Sequence, residues 1–360
     1  MKRATIHDVA AAAGVSISTV HQALKGKNGV SEATRERILE IVENLGYQPN
    51  IHAANLKRKS KHIVVFLPSE SRSNRCFYQP VWKGVRDAVH EMADWNVNCT
   101  EVEFYFDETT DNEQLRLLRT LIKENKVDGI LTVGHLDVFS DTEWEDIRNR
   151  GIAVAQISSD NEKSHSIFCV QPNYEIIGRT IAELVFSHIP SFGSVVFCVG
   201  NPDWVAHSLV TEGFRAYMQE NGHQNKVYYQ HSWGMKPERY HEILSLLRQP
   251  DVAACCSVLS QASIQLGEAL EECGKWKTVF SVGSDLSDEN MDRLSKGVFC
   301  NLVQKNPYAQ GYIGMKTLIE YLAQGISPEN KLIYVGSEVV FRSMLPVYRS
   351  ENYRSFYLIK

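Results

Sequence analysis

Hydroxyl, imidazole and amide side chains occur close together near the beginning of the sequence. Residues 16–24 show helical spacing, with an apolar side formed by Val15, Val20, Ala23 and Leu24. The opposite side carries Ser16, Ile17, Ser18, His21 and Gln22. Short polar side chains near a helix N-terminus can hydrogen-bond to base edges and to phosphates. This stretch therefore predicts a helix that contacts nucleic acid.

One more helix precedes this stretch, and another follows it. Ile6, Val9 and Ala10 recur at helical spacing and the pattern stops at Gly14, which predicts a helix-turn-helix. Ser31 is a good N-cap for the third helix, whose apolar stripe is Ile38, Ile41, Val42 and Leu45. Three short helices make a minimal DNA-binding head. A small helical hairpin with a solvated face has the same pattern, so the pattern alone leaves both interpretations open.

Six stretches of this region resemble the LacI/GalR family of bacterial repressors in order and spacing. They are Thr5-Ile-His-Asp-Val-Ala, Ala13-Gly-Val-Ser, Ser18-Thr-Val, Leu24-Lys-Gly26, Val30-Ser-Glu-Ala-Thr-Arg35 and Leu45-Gly-Tyr-Gln-Pro-Asn50. The resemblance implies a homodimeric repressor whose head, residues 1–48, reads the major groove of pseudo-palindromic operator DNA. It adds Thr5, Thr19 and Lys25 to the residues expected to contact DNA.

A basic linker, residues 49–61, follows the head. A proline breaks the preceding helix, Asn50 can cap a short new one, and four cations crowd into its last five positions. Taken by itself this is a solvated linker. The resemblance instead implies a hinge helix that forms on operator DNA, in which Leu56 wedges into the minor groove and Ala53 lies at the surface where two subunits pair.

The helix predicted over residues 16–24, which the resemblance makes the recognition helix, departs from the family at one position. Gln22 follows His21 where many members carry an arginine that reads operator bases. Arginine forks onto guanine, whereas glutamine forks onto adenine, so we expect Gln22 to read an adenine. For His21 a phosphate contact, a base contact and simple solvation all stay open.

Composition and charge indicate a globular chain with one end that faces nucleic acid. The chain has 360 residues, of which 43% are apolar and 22% charged, and this length favours two or three domains. Residues 1–62 hold 10 Lys and Arg against 5 Asp and Glu, whereas the remainder holds 28 against 38. The eight cysteines show no metal-binding spacing, and no run approaches the roughly 18 apolar residues of a membrane span. We expect buried thiols and a cytoplasmic protein.

From residue 62 onward, buried-strand patterns alternate with amphipathic-helix patterns, and the series then repeats. This order predicts two α/β lobes, each a doubly wound parallel sheet. The resemblance extends here through Asn173-Tyr-Glu-Ile-Ile-Gly178, Gly283-Ser-Asp285 and Glu338-Val-Val-Phe-Arg-Ser343. It implies that residues 62–360 adopt the periplasmic-binding-protein type I fold.

In that fold the chain passes between the lobes three times, and we expect the crossings near residues 160, 290 and 325. Lobe 1 would then comprise about 62–160 and 291–323. Lobe 2 would comprise about 161–290 and 324–360.

A crevice between two such lobes can hold a small molecule at the carboxyl ends of the strands. The strand-end side chains expected to line it are Ser71, Arg72, Phe77, His135, Asp160, Trp204, His207, Gln261 and Asp285. Aromatic faces suit the C–H surfaces of sugars, while carboxylate, amide and guanidinium groups suit their hydroxyls. A solvated polar loop is the simpler explanation for most of them singly. The exception is Asp285, because it occupies the position of the family's sugar-binding aspartate.

Two other positions depart from the family's pattern. Val210 stands where many members carry an arginine that grips the effector, and Gln261-Ala262 stands where many have Asn-Asp. We therefore expect an effector other than the usual monosaccharide, such as a disaccharide or glycoside stacked on Trp204 or Phe77.

Taken together, these features predict a transcriptional repressor controlled by a small carbohydrate. A sugar-processing enzyme fused to a DNA-binding head is the alternative, but the sequence has no G-x-S-x-G motif, P-loop lysine or metal-spaced cluster. We predict no catalytic residue, no cofactor and no metal. A transport binding protein is disfavoured by the DNA-binding head and by the missing signal-peptide pattern.

Overall fold

The computed structural model of the chain describes residues 4–24, 29–47, 59–71, 75–104, 113–134, 139–232 and 236–350. The chain divides into two compact units, each with many contacts within itself. The first holds Met1–Lys59 with Asp94–Asn96, and the second holds Ser60–Ala93 and Val97–Lys360. We call the helical part of the first unit the head and the second unit the body.

Three helices form the head: α1 (Ile6–Ala13), α2 (Ile17–Leu24) and α3 (Glu32–Asn44). The start of α1 is fixed by a reciprocal cap, in which Thr5 Oγ1 accepts from the Asp8 N–H and the Asp8 carboxylate accepts from the Thr5 N–H. The helix stops where Gly14 adopts a left-handed conformation, with a φ of 62°. Short-range capping signals thus set the helix-turn-helix that the sequence predicts.

The head has its own small core. Val9, Val20 and Ile38, one from each helix, are completely buried in it, as the helical spacing predicts. The expected end of the α3 stripe is wrong, because Leu45 is 42% exposed. α3 has already ended at that point, and the turn that follows buries Tyr47 instead.

Two six-stranded sheets form the centre of the body. Sheet A has the order β11-β5-β4-β3-β1-β2, and sheet B has the order β12-β10-β9-β8-β6-β7. All neighbouring strands are parallel except β10 and β12. The strands of sheet A are β1 (Lys61–Pro68), β2 (Val97–Phe104), β3 (Gly129–Val133), β4 (Ala153–Ile157), β5 (Phe168–Pro172) and β11 (Leu332–Val335). Those of sheet B are β6 (Ser194–Cys198), β7 (Val227–Gln230), β8 (Val252–Ser257), β9 (Phe280–Ser284), β10 (Asn301–Gln304) and β12 (Glu338–Val340).

Helices pack on both sheets, which makes each sheet the centre of a doubly wound lobe. Lobe 1, around sheet A, carries α4 (Arg75–Glu91), α5 (Glu113–Lys123), α6 (Asp141–Asn149) and α12 (Pro307–Gln324). Lobe 2, around sheet B, carries α7 (Tyr174–Phe186), α8 (Val205–Glu220), α9 (Pro237–Leu247), α10 (Ser260–Cys273), α11 (Asp288–Lys296) and α13 (Leu345–Tyr348). Short 3₁₀ turns lie at Ala93–Trp95, Glu162–Ser164, Lys275–Lys277 and Arg342–Met344. The predicted fold class is confirmed.

The three crossings between lobes do not fall near residues 160, 290 and 325. They lie between β5 and α7, between β10 and α12, and between β11 and β12. The lobe bounds of about 62–160 with 291–323 and 161–290 with 324–360 therefore need correction. β5 and β11 pair with each other along one edge of sheet A, which keeps residues 168–172 and 332–335 in lobe 1. β10 pairs with β9 and so keeps residues 301–304 in lobe 2.

The cysteines behave as small apolar residues. All eight are free thiols, and Cys198, Cys255 and Cys256 are completely buried in sheet B. Burial raises the pKa of Cys198 to about 12, so this thiol is not a reactive nucleophile. Within the described ranges, no helix is both long enough and apolar enough to cross a membrane.

Candidate functional site

The two sheets present the carboxyl ends of their strands to one cleft in the body. Its described lining residues come after β1, β4, β5, β6, β8, β9 and β10. The cleft has an empty volume of about 610 Å³, and its walls are largely aromatic and apolar, with Phe77, Tyr78, Tyr174, Trp204, Val210 and Leu259. Open α/β sheets bind ligands at this edge, so the topology places a small-molecule site here.

Five of the residues predicted from the sequence lie together in this cleft. Phe77 comes from the first turn of α4 in lobe 1, whereas Trp204, His207, Gln261 and Asp285 come from lobe 2. They combine two aromatic surfaces with an imidazole, an amide and a carboxylate. Such a set can pack on the C–H face of a sugar and hydrogen-bond its hydroxyls.

Two predicted residues, Ser71 and Asp160, do not line the cleft. The Ser71 hydroxyl lies 2.8 Å from that of Ser69 in the turn after β1. The Asp160 carboxylate is 2.7 Å from Lys331 Nζ and accepts a hydrogen bond of 2.7 Å from Ser166 Oγ. Both side chains thus contact residues outside the described lining of the cleft, so we correct their assignment. Arg72 and His135 lie outside the described residues.

His207 is held in one neutral tautomer. Its Nδ1 accepts a hydrogen bond of 3.0 Å from the Asn201 N–H, so the ring proton is on Nε2. The ring stacks with Trp204 at a centroid distance of 5.2 Å. Burial, reinforced by the nearby charge of Lys305, lowers the pKa of His207 to about 3. His207 is therefore an uncharged Nε2–H donor at physiological pH.

Gly200 makes the close approach of His207 feasible. Its φ is 74°, a conformation that favours glycine. A Cβ atom at this position would lie 2.7 Å from Nδ1 of His207 and 2.9 Å from Cδ2 of Leu259. A larger residue would have to displace the imidazole.

A buried ion pair adds a residue that the sequence analysis missed. Lys305 Nζ lies 2.8 Å from Asp285 Oδ2, and the two residues are only 7% and 2% exposed. Lys305 directly follows β10, and this position at the end of a strand is the signal that could have identified it. Ser158 and Tyr174 were also missed, although both follow strands, because the residue types alone do not distinguish them from loop residues.

Three of the six described non-glycine residues with a positive φ lie at or beside the cleft. Ser158, Asp285 and Asn306 have φ values of 66°, 63° and 48°, although none of them is glycine. Each follows the end of a strand, and each is tied down by a hydrogen bond. The Ser158 carbonyl accepts from the Tyr174 hydroxyl at 2.5 Å, and Asn306 Oδ1 accepts from the Ala309 N–H. Strain of this kind persists only where the surroundings fix the backbone, and it is common at binding sites.

The head offers a second candidate surface. Thr5, Ser16, Ser18 and His21 are exposed there, as predicted. Three further predicted residues are partly buried: Thr19, whose hydroxyl lies 2.8 Å from that of Ser16, Gln22, and Ile17, which packs against the head core. The remaining predicted DNA contacts lie outside the described residues: Lys25, Asn50, Ala53 and Leu56.

Among the described residues, no cluster of three or more His, Cys, Asp or Glu side chains is arranged to hold a metal ion. Both candidate surfaces are therefore built from neutral polar groups, aromatic rings and one ion pair.

Curated relatives are regulators of transcription. The chain is 26% identical over 229 residues to the HTH-type transcriptional regulator DegA of Bacillus subtilis, covering 61% of this chain and 62% of the relative. It is 28% identical over 222 residues to catabolite control protein A of Priestia megaterium, again covering 61% of this chain and 62% of the relative. The matched part thus spans about three-fifths of the length of these relatives.

Solved structures share the architecture of the body. A LacI transcriptional regulator from Bacteroides fragilis superposes with a TM-score of 0.70 and 19% identity, covering 81% of this chain and all of that chain. A solute-binding protein of an ABC transporter from Burkholderia graminis, solved with D-arabinose, gives 0.69 and 18%, with the same coverage.

Two protein families account for most of the sequence. Residues 63–326 match the periplasmic binding protein domain. Residues 5–50 match the bacterial regulatory proteins of the lacI family. The chain therefore belongs to the periplasmic binding protein domain family through its body, and its head matches the helix-turn-helix of the bacterial regulatory proteins of the lacI family.

Proposed function

We propose that this chain is a sequence-specific DNA-binding repressor whose operator affinity is controlled by a small carbohydrate bound in the cleft. One observation carries the proposal: the chain contains both a helix-turn-helix and a ligand cleft. The helix-turn-helix has an exposed polar face, and the cleft at the strand ends has aromatic and hydrogen-bonding side chains. The regulators named among its relatives support the same function.

The head supplies contacts of two kinds. Hydroxyls at Ser16 and Ser18 suit phosphates and base edges, whereas the Gln22 amide has the donor and acceptor that the N6 and N7 edge of adenine requires. Two such heads in a homodimer match a pseudo-palindromic operator. Asn50, Ala53 and Leu56 form the hinge of this proposal, and they are assigned to it by sequence alone.

In the cleft, the aromatic rings of Trp204 and Phe77 stack on sugar rings, and Asp285 accepts a hydrogen bond from a ligand hydroxyl. Aromatic side chains from both lobes, Phe77 and Trp204, suit a disaccharide or glycoside that stacks on either of them. The cleft binds and releases this effector without turnover, in the cytoplasm where the DNA lies. Effector binding shifts the lobes relative to one another and changes the spacing of the two hinges.

Binding-site selection from random duplex DNA tests the proposal. Wild-type protein should recover a pseudo-palindrome, and Gln22→Ala should lose the preference for adenine at one position of each half-site. The expected cost on the wild-type operator is about 1–3 kcal/mol, with the salt dependence unchanged because no charge is removed.

The matched control is Gln219→Ala, which removes the same amide from an exposed position on α8 in the body. It should select the wild-type sequence. Recovery of no consensus by wild type would refute sequence-specific regulation, and identical consensus sequences from wild type and Gln22→Ala would refute base reading by Gln22. Saccharides that raise the melting temperature should then change the affinity for the selected operator.

A further inference from the structure

The hydrogen bonds of Lys305 are already complete within the protein. Its ammonium donates to Asp285 Oδ2 at 2.8 Å, to Ser284 Oγ at 2.7 Å and to the Val258 carbonyl at 2.8 Å. An ammonium has three N–H groups, so all of them are used. Although it lies in the cleft, Lys305 therefore has no proton left for an anionic ligand.

Asp285 is satisfied on one side only. Oδ2 receives Lys305, whereas the buried Oδ1 has no hydrogen-bond partner within the part of the chain that the structure describes. The residue is fixed in place, since its N–H donates to the Val303 carbonyl at 3.0 Å. A buried acceptor without a donor is uncommon in native proteins. Oδ1 is thus the oxygen available to a ligand hydroxyl.

The backbone of Lys305 is anchored from the other lobe. Its carbonyl accepts from Gln310 Nε2 at 2.7 Å, and Gln310 Oε1 accepts from Ser158 Oγ at 2.9 Å. Gln310 lies on α12 and Ser158 follows β4, both in lobe 1, whereas the ammonium of Lys305 reaches into lobe 2. The crossing between β10 and α12 therefore holds the ion pair at a fixed depth in the cleft.

The described wall of the cleft carries no net charge. Its titratable members are Asp285, Lys305, His207, Tyr78 and Tyr174. Asp285 and Lys305 neutralise each other, His207 is an uncharged donor, and burial raises the pKa of both tyrosines. An anionic sugar would lose its hydration here, meet the Asp285 carboxylate and find no ammonium proton.

We propose that Lys305 is a positioning residue that determines the charge class of the effector. It holds the Asp285 carboxylate in place through Oδ2 and leaves Oδ1 open, so that the cleft takes an uncharged saccharide and discriminates against its phosphorylated or carboxylated counterparts. The proposal rests on the carbohydrate-responsive function given above.

Calorimetry with matched ligands tests this inference on the full-length protein. The probes are uncharged mono- and disaccharides together with their sugar phosphates and uronates. Wild type should bind an uncharged saccharide at least tenfold more tightly than its charged counterpart, with little change in affinity between pH 5 and pH 8. Lys305→Met should weaken binding of the same saccharide by tenfold or more.

The pH profile distinguishes positioning from simple structural damage. Without its cation, the buried Asp285 carboxylate takes up a proton more readily, so the affinity of Lys305→Met should vary between pH 5 and pH 8. Lys305→Arg, which keeps the charge, should restore a flat profile. Lys331→Met removes the cation of an ion pair outside the cleft and should behave as wild type.

Each outcome bears on the inference. A flat profile in Lys305→Met, or tighter binding of a phosphorylated sugar by wild type, would overturn it while leaving a carbohydrate effector in place. Binding of no saccharide of either class would overturn the carbohydrate effector itself, and the inference with it. If Lys305→Met does not fold, the double variant Lys305→Met with Asp285→Asn removes both charges. Its affinity for the saccharide should be reduced and independent of pH. A pH-dependent affinity in that double variant would contradict the role of Asp285.

Discussion

The depressed pKa of His207 has a measurable effect on stability. In the folded protein, burial and the charge of Lys305 lower this pKa from 6.5 to about 3. Between these two values the unfolded chain binds a proton that the folded chain does not. The stability contributed by neutral His207 is therefore complete above pH 6.5 and is lost progressively as the pH falls toward 3.

The magnitude follows from the size of this window. At pH 5 the solution is 1.5 units below the value of 6.5 for the free side chain, and each unit corresponds to about 1.36 kcal/mol. His207 should thus account for about 2 kcal/mol of the stability that the body loses between pH 7.5 and pH 5. His207→Gln should remove this loss, since an amide keeps a hydrogen-bond acceptor for the Asn201 N–H and does not titrate.

Urea unfolding at the two pH values measures this difference. Tryptophan fluorescence reports mainly on the body, because five of the six tryptophans belong to it and none lies within residues 1–62. Other ionisable groups contribute to both proteins, so the comparison uses the difference between wild type and variant. His241→Gln, which removes an exposed imidazole on α9, is the control and should show the wild-type loss. An acid-induced loss in His207→Gln equal to that of wild type would refute the reasoning.

Two further predictions concern the backbone of the cleft and the hinge. Gly200→Ala should weaken effector binding strongly, because its Cβ would displace His207. Gly222→Ala is the control and should not weaken binding, because it has a similar φ of 69° and no atom within 4 Å of its Cβ. Equal effects on effector affinity would mean that backbone strain, and not displacement of His207, causes the loss. Leu56→Ala should reduce specific operator affinity and leave the melting temperature of free protein unchanged, because in the proposed function this side chain is buried only against DNA; a large loss of melting temperature would make it a core residue.

The elements that the sequence predicted well are those with strong local signals. In the head, Thr5, Gly14 and Ser31 set the helix boundaries through contacts within a few residues. In the body, the apolar runs of the central strands are long enough to identify, and β1 is completely buried from Ile63 to Leu67. Local chemistry is therefore enough to identify these elements in the sequence.

Four strands were missed for the opposite reason. β5, β10, β11 and β12 have only three to five residues each, and β11 and β12 lie at sheet edges. β5 pairs with β11, which is distant in sequence, and its short apolar run carries no sign of that pairing. β10 and β12 mix polar with apolar residues. Because these strands fix where the chain changes lobe, the crossings could not be located from the sequence.

The cleft was predictable only in part. Trp204, His207 and Asp285 were found because they follow strongly patterned strands of lobe 2. The direction of a loop depends on contacts that the sequence does not reveal. The ion pair of Asp160 with Lys331 is such a contact, and for that reason it was not predicted. Lys305 was missed because an isolated lysine is read as a solvated cation, and only its three buried acceptors show otherwise.

These same buried contacts indicate how the cleft responds to its ligand. Ser158, Asp285 and Asn306 hold strained backbone conformations that hydrogen bonds on both sides of the crossings maintain. A wall fixed in this way loses little entropy when a ligand binds. In the proposed function, the free energy of effector binding then acts on the contacts between the two lobes. Arg75 of α4 and Glu289 of α11 form such a contact directly, so the proposed function predicts that effector binding is transmitted through the crossings as a change in the angle between the lobes.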